Sequence, residues 1–244
     1  MKTVYILRKE LDKFININFH QAYNWFNQRY YNIKFFNSND INTFKIDKDT
    51  IIVAWINELK TIFKNNNIKI QNIEIPLWCE SYLKREIQIT TVNEAIKLYN
   101  QWYRFFIKPL DNHKSFPWFC FTNYENILKF NNDNLDERVI ISDIIEIKSE
   151  YRFFILESKI IWFSLYSWDP EILPDIQFVK DIIRTINLYN NYPVAYSIDI
   201  WINSNNEPFL IETNDSIALG AYWLNAIKYS LMIEKRWEEI TKDL

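Results

Sequence analysis

The stretch AYSIDIWINSNNEPFLIETND, residues 195–215, holds the residue types best suited to chemistry: acids and amides set into two apolar runs around a polar turn. Folded as a hairpin with Ser204–Glu207 as the loop, Asn203 pairs with Pro208 and Asp199 falls opposite Glu212. Side chains two apart share a strand face, so Asn214 joins Glu212 there. Two opposed carboxylates repel unless a cation lies between them. Hard oxygen donors of this kind suit Mg2+, with water and substrate phosphates completing its shell. Two readings stand: solvent-facing acids on a half-exposed hairpin, or metal ligands. The flanking Ile, Trp, Phe and Leu residues weigh toward the second, because unpaired charge is expensive in apolar surroundings.

RFFIKPL, residues 104–110, poses the mirror question. Lys108 sits among Phe105, Phe106, Ile107, Pro109 and Leu110, where it needs a counter-charge or must snorkel from a strand end. His113 and Lys114 lie in the loop that follows, Arg152 begins an apolar strand in SEYRFFIL, and Arg85 sits in YLKREIQI. Singly each cation is ordinary. Together with an acid pair they suit a triphosphate held by lysines and arginine with a divalent metal opposite.

Other chemistries lack their residues. One glycine in 244 residues cannot build GxGxxG or GxxxxGK[ST]. No lysine is closely followed by glycine, as a covalent nucleotidyl ligase would want. His20 and His113 belong to no Ser or Cys triad pattern, and no Cys/His grouping suits zinc. A net charge of −3 with scattered Lys and Arg gives no basic face for nucleic acid. Cys79 and Cys120 form no CxxC or disulfide framework, so the expected compartment is the reducing cytoplasm. The N-terminal apolar run is too short for a signal peptide or membrane span.

The elements that must position these groups follow from periodicity. Hydrophobic residues at 48%, with 18% aromatics, supply a core and exclude disorder. TVYILR, NIKFFN and residues 49–56 read as strands, and 18–31 as an aromatic-rich helix. Ile56, Leu59, Ile62 and Phe63 fall on one face of a second helix, giving a small α/β lobe with a largely parallel sheet. Thr91 and Glu94 form a capping-box pattern that starts another helix. From Arg138 the pattern is mostly β, with helices expected at 175–191 and 220–243. The expected segments are 1–72 (α/β), 73–137 (small α+β) and 138–244 (β-rich with covering helices). Trp55, Trp78, Tyr222 and Trp223 are expected in the core, with a pocket-lining role as the alternative. Gly220 is expected to allow close packing or a positive φ where the last helix begins.

Three stretches in order, FIKPLDNHKSF, VIISDIIEIKSEYRFFILESKIIWFSLY and YSIDIWINSNNEPFLIETNDSIALGAYWL, resemble the ATP-grasp superfamily. They are most similar to the clade described by an arginine and two lysines, found in bacteria and their viruses, and IPLWCESYLKREIQ resembles its lead-in. The resemblance covers about residues 73–224. It implies an α+β / α/β ATP-grasp fold: a small N-terminal pre-ATP-grasp lobe followed by two α+β lobes that clasp the nucleotide. It implies that Lys108 reaches the ATP phosphates, that Lys114 lies in the phosphate-covering loop, and that Asp143, Ile144 and Ile145 line the adenine. Glu150 matches the ribose contact and Arg152 the arginine beside the transferred phosphate, with Arg85 a rival. Asp199, Glu212 and Asn214 match the Mg2+ ligands. DNHKSFPWF departs from the glycine-rich loop common in the superfamily.

The resemblance implies an ATP-dependent ligase that joins a carboxylate to an amine through an acyl-phosphate. Its substrates would be small molecules or peptides carrying those groups, with no nucleic acid and no membrane involved. A nucleotide-binding scaffold acting through a protein partner is the alternative, and a phosphotransferase a third.

Overall fold

Residues Thr3–Glu10 form β1 of the computed structural model, the strand that the TVYILR alternation predicts. The structure describes residues 2–10, 13–14, 16–73, 77–110, 115–130, 132–189 and 192–244. A short β2 (Lys13–Phe14) pairs antiparallel with the end of β1. Helix α1 (Ile17–Gln28) starts at Asn16, whose side chain accepts from the Phe19 N–H and so satisfies one orphan donor. Strands β3 (Asn32–Phe36) and β4 (Thr50–Val53) both run parallel to β1, one on each side. All four β4 residues are buried, as expected of a parallel strand covered on both faces. Helix α2 (Ile56–Asn65) buries Leu59, Ile62 and Phe63, the face read from their spacing.

Two units divide the chain: Met1–Tyr82 with Lys148–Leu244, and Leu83–Ile147. A single helical turn, α3 (Glu80–Leu83), spans the first of the two junctions in sequence. The inserted unit contains β5 (Ile87–Thr91), α4 (Val92–Asn100), β6 (Phe105–Pro109), β7 (Phe119–Phe121) and β8 (Arg138–Ser142). Its sheet has the order β5-β8-β6-β7, each pair antiparallel. Thr91 caps α4 by accepting from the Glu94 N–H at 3.3 Å, while the Glu94 carboxylate turns to Lys97 at 2.6 Å. Half of the capping box forms and the other half is replaced by an i,i+3 ion pair. Ile107, Phe121, Val139 and Val92 make the centre of this unit's core.

The chain returns to the first unit through β9 (Ile147–Leu156) and β10 (Lys159–Trp168), an antiparallel pair. Their turn places Glu157 and Ser158 at φ 48° and 61°. With one glycine available, the chain commits other residues to left-handed turn positions. Helix α5 (Ile176–Asn187) leads to the hairpin β11 (Ala195–Asn203) and β12 (Pro208–Asp215). The resulting sheet has the order β10-β9-β11-β12. The last helix, expected from residue 220, starts later: a 3-10 turn (Ser216–Ala218) and a loop come first, and α6 spans Ala226–Thr241 behind an Asn225 cap. That asparagine accepts from the Lys228 N–H at 2.9 Å, which fixes the later start. Trp237 of α6 is fully buried, donates its indole N–H to the Ile52 carbonyl at 3.0 Å and packs on Phe63. Val4, Ile52, Phe154, Ala195 and Trp237 therefore belong to one core, which fixes the β9–β12 sheet on the N-terminal one.

Candidate functional site

Asp199 lies directly opposite Glu212, and Ser197 opposite Asn214, in the β11–β12 pair. The route to that register differs from the expected one. Asn203 donates its N–H to the Glu207 carbonyl at 3.1 Å, so Ile202 rather than Asn203 faces Pro208. A one-residue shift between Asp199 and Ile200 then makes up the difference. An unbroken ladder would have put Ile211 opposite Asp199. The irregularity is thus what turns Glu212 toward the aspartate, the kind of re-aiming for which bulges are used.

Arg152, on the neighbouring β9, grips Asp199 with a two-bond fork: Nε to Oδ1 at 2.8 Å and Nη2 to Oδ2 at 2.5 Å. Both side chains are buried. Burial alone would lower the Arg152 pKa, but the Asp199 carboxylate more than reverses this, so the guanidinium is held charged. The Asn214 amide nitrogen donates to both acids, 3.3 Å to Asp199 Oδ2 and 3.1 Å to Glu212 Oε1. The repulsion expected between the opposed carboxylates is therefore relieved from inside the protein, by one cation and one shared donor. Nη1 of Arg152 takes no part in the fork.

Tyr166 and Tyr222 complete the surroundings of Arg152, with its Cζ 5.1 Å and 4.8 Å from their ring centroids. The sequence reading missed Tyr166, although the spacing of Trp162, Ser164 and Tyr166 puts all three on one face of β10. Of the four aromatics expected in the core, three are exposed and one is half-buried. Tyr222 is 39% exposed and Trp223 87%, Trp55 is exposed, and Trp78 is half-buried against Tyr189. Tyr222 and Trp223 in this loop adopt positive φ angles of 37° and 68°. The Gly220 φ is not in the left-handed region, so of the two roles expected for it only close packing holds.

Glu150, two residues before Arg152, is pushed up to a pKa of about 7 by burial first, then by the Asp199 charge, with a smaller push from Glu212. Trp201 and Arg152 offset part of this. A carboxyl raised above its ordinary 4.5 makes ionisation unfavourable to the fold, so its cost is absent below pH 4.5 and complete above pH 7. Glu150→Gln is expected to raise stability at pH 8 by on the order of 2–3 kcal/mol and to leave it unchanged near pH 4. Urea unfolding of both proteins in EDTA at the two pH values measures this difference.

The inserted unit carries the remaining residues singled out in the sequence. Lys108 projects from β6 opposite Ile140, on the half-buried face shared with Phe106, while Phe105 and Ile107 enter the core. Asp143, Ile144 and Ile145 follow β8 outside any strand, and Asp143 Oδ2 accepts from the Glu86 N–H at 3.2 Å. Arg85, half-buried, donates to the Leu83 carbonyl at 3.4 Å. Lys114 and His113 lie outside the described residues.

The family model for the ATP-grasp domain, R2K clade family 2, matches residues 82–232, more than half of the chain. The chain belongs to the R2K clade of ATP-grasp proteins. Solved ATP-grasp structures share the fold of this family member across nearly its whole length. A RimK domain ATP-grasp protein from Sphaerobacter thermophilus DSM 20745 matches with a TM-score of 0.60 at 9% identity, covering 98% of this chain and 99% of that one. D-alanine–D-alanine ligase from Bacillus anthracis complexed with ATP gives a TM-score of 0.60 at 12% identity over 99% and 98%. The macrocyclase MdnC bound with precursor peptide MdnA, from Microcystis aeruginosa MRC, gives 0.51 at 12% identity over 99% and 100%. No curated protein matches.

In this ATP-grasp chain the donor set tests whether Mg2+ fits. Among the described residues no three His, Cys, Asp or Glu side chains gather into a metal-binding group. The candidate set is smaller: two carboxylates and an amide, reached by one common donor atom at 3.1–3.3 Å. A point that already hydrogen-bonds both acids is one where a small cation can face both. Mg2+ keeps several waters and needs only one or two protein carboxylates, so the donors fit. Turning the Asn214 amide presents its oxygen in place of its nitrogen. No helix among the described residues is long and apolar enough to cross a membrane.

Proposed function

We propose that this ATP-grasp protein is an ATP-dependent carboxylate–amine ligase that forms an amide or peptide bond through an acyl-phosphate. The observation that carries the proposal is the shifted hairpin register that puts Asp199, Glu212 and Asn214 on one face, with Arg152 forked to Asp199. A substrate carboxylate oxygen attacks the γ-phosphorus of ATP and ADP leaves. The amine nitrogen then attacks the acyl carbon, and inorganic phosphate leaves with the former carboxylate oxygen. Bound Mg2+ would supply charge neutralisation at the phosphates, held by Glu212, Asp199 and Asn214. Arg152 offers Nη1 to the transferred phosphate while Asp199 fixes the plane of its guanidinium. Lys108 and Lys114 contribute positive charge to the nucleotide phosphates, Arg85 is a further cation for them, and Asp143–Ile145 meet the adenine edge. Glu150 contacts the ribose.

Relatives of the same fold include one solved with ATP and one with a precursor peptide. A peptide or amino-acid substrate is therefore the class to try first. The free cysteines Cys79 and Cys120 suit a reducing cytoplasmic setting.

Lys108→Met is expected to weaken ATP binding by about tenfold or more while changing stability by less than about 1 kcal/mol, because it replaces a half-buried cation by an apolar chain of similar length. Isothermal titration with ATP on a protein checked by melting measures both quantities. For the proposal itself, ADP release is followed with pooled amino acids and short peptides, and the products are weighed by mass spectrometry. An amide product supports the ligase; a phosphorylated product would replace it with a phosphotransferase. One observation favours a scaffold instead: the sole glycine is Gly220, so the phosphate-covering loop has none, and backbone amides approach phosphate closely only where side chains leave room. Tight ATP binding without substrate-stimulated ADP release would select that reading.

A further inference from the structure

The Arg152 guanidinium and the rings of Tyr166 and Tyr222 form a triangle of nearly equal sides: 5.1 Å and 4.8 Å from Cζ to each centroid, and 4.8 Å between centroids. Rings on opposite faces of a cation would lie apart by nearly the sum of the two cation–ring distances. Both rings therefore stand on one side of Arg152, tilted by 48°, with their hydroxyls 3.3 Å apart. Asp199 holds the edge of the guanidinium and the tyrosine wedge backs it. Tyr222 is itself fixed at its backbone, which sits at φ 37° and whose carbonyl accepts from Ser164 Oγ. Ser164 is the residue paired with Arg152 across β9 and β10, and it also receives the Trp162 indole N–H at 2.9 Å.

Gly220 lies beneath the ring. A Cβ at that position would come within 2.5 Å of Tyr222 Cε2 and 3.0 Å of Cζ. We propose that Tyr222, backed by Tyr166, is a positioning residue that holds Arg152 against Asp199, and that Gly220 is glycine because its missing side chain is the seat of the Tyr222 ring. The atoms a Cβ would meet belong to the far end of a side chain that can swing aside. Gly220→Ala therefore displaces the ring rather than unfolding the chain. The effect on turnover rests on the proposed ligase reading, in which Arg152 meets the transferred phosphate; the positioning itself does not.

The direct readout is hydrogen exchange of the Arg152 Nε–H by nuclear magnetic resonance, with the signal assigned by its loss in Arg152→Lys. Tyr222→Phe, which keeps the ring, is expected to exchange within about twofold of the parent. Tyr222→Ala and Gly220→Ala are each expected to exchange about tenfold faster. The Gly220→Ala/Tyr222→Ala double variant should exchange no faster than Tyr222→Ala, since no ring remains to displace. Unchanged exchange in Tyr222→Ala overturns the proposal, as does a double variant whose rate multiplies the two single effects. Should Tyr222→Ala fail to fold by circular dichroism, Gly220→Ala in the parent and Tyr222→Phe backgrounds decides: faster exchange in both supports the seat, and no change in either removes it. ADP release on the same proteins separates the two readings. A loosened Arg152 in a chain that releases no ADP even as the parent keeps the positioning role and removes the ligase. Where both hold, kcat falls about tenfold with the KM for ATP within about threefold.

Discussion

Arg152→Ala is expected to lower the free energy of unfolding by about 3–5 kcal/mol, the usual cost of leaving one member of a buried ion pair without its partner. The reason lies in Asp199, 2% exposed, which would lose its forked counter-charge while staying buried. The loss should shrink as pH falls and the stranded Asp199 takes up a proton. Removing both charges, in Arg152→Met/Asp199→Leu, is expected to recover most of the stability, because an apolar pair of similar volume has no desolvation to overcome. Urea titrations of the parent, the single and the double variant at pH 7 and pH 4 measure all three statements. A loss under about 1 kcal/mol for Arg152→Ala at pH 7 would show that solvent reaches Asp199 and that the fork is not structurally important.

Glu212→Gln is expected to reduce Mg2+-dependent ADP release by about 100-fold or more, since the change removes a charge from the proposed ligand set while keeping its shape. Melting temperature should stay the same or rise slightly, because the variant also removes a carboxylate facing Asp199 across the hairpin. An ADP-release assay over a range of Mg2+ concentrations, paired with thermal melting, reads both. Full activity in a folded Glu212→Gln protein would take the metal role away from this residue.

Much of this site was legible in the chain, for reasons that can be located. Strands β9 to β12 are long apolar runs with short polar turns, so their existence follows from pattern alone. The pairing of Asp199 with Glu212 was reached by counting from an assumed loop. The loop was one residue too long, and the register shift after Asp199 compensated. Bulges leave no mark in a single sequence, so that agreement owed something to cancellation. The Arg152–Asp199 fork was out of reach because β9 and β11 become neighbours only after β10 and α5 intervene. In the sequence Arg152 is one ordinary cation at the start of SEYRFFIL, with no acid assigned to it. Aromatic character alone places Tyr222 and Trp223 in the core, and nothing in the sequence marks either residue for positive φ. The single glycine was singled out correctly as a constraint. Its physical meaning, space for a ring two residues away, belongs to the tertiary structure.

The fate of one oxygen atom tests the proposed acyl-phosphate route most directly. Amino acids and short peptides carrying 18O in their carboxylates are incubated with the protein, ATP and Mg2+, and the inorganic phosphate is analysed by mass spectrometry. An acyl-phosphate route predicts one 18O atom in each phosphate released, in step with ADP and amide. Phosphate without label, or ATP bound with no ADP formed, would contradict the assignment of this chain as a carboxylate–amine ligase.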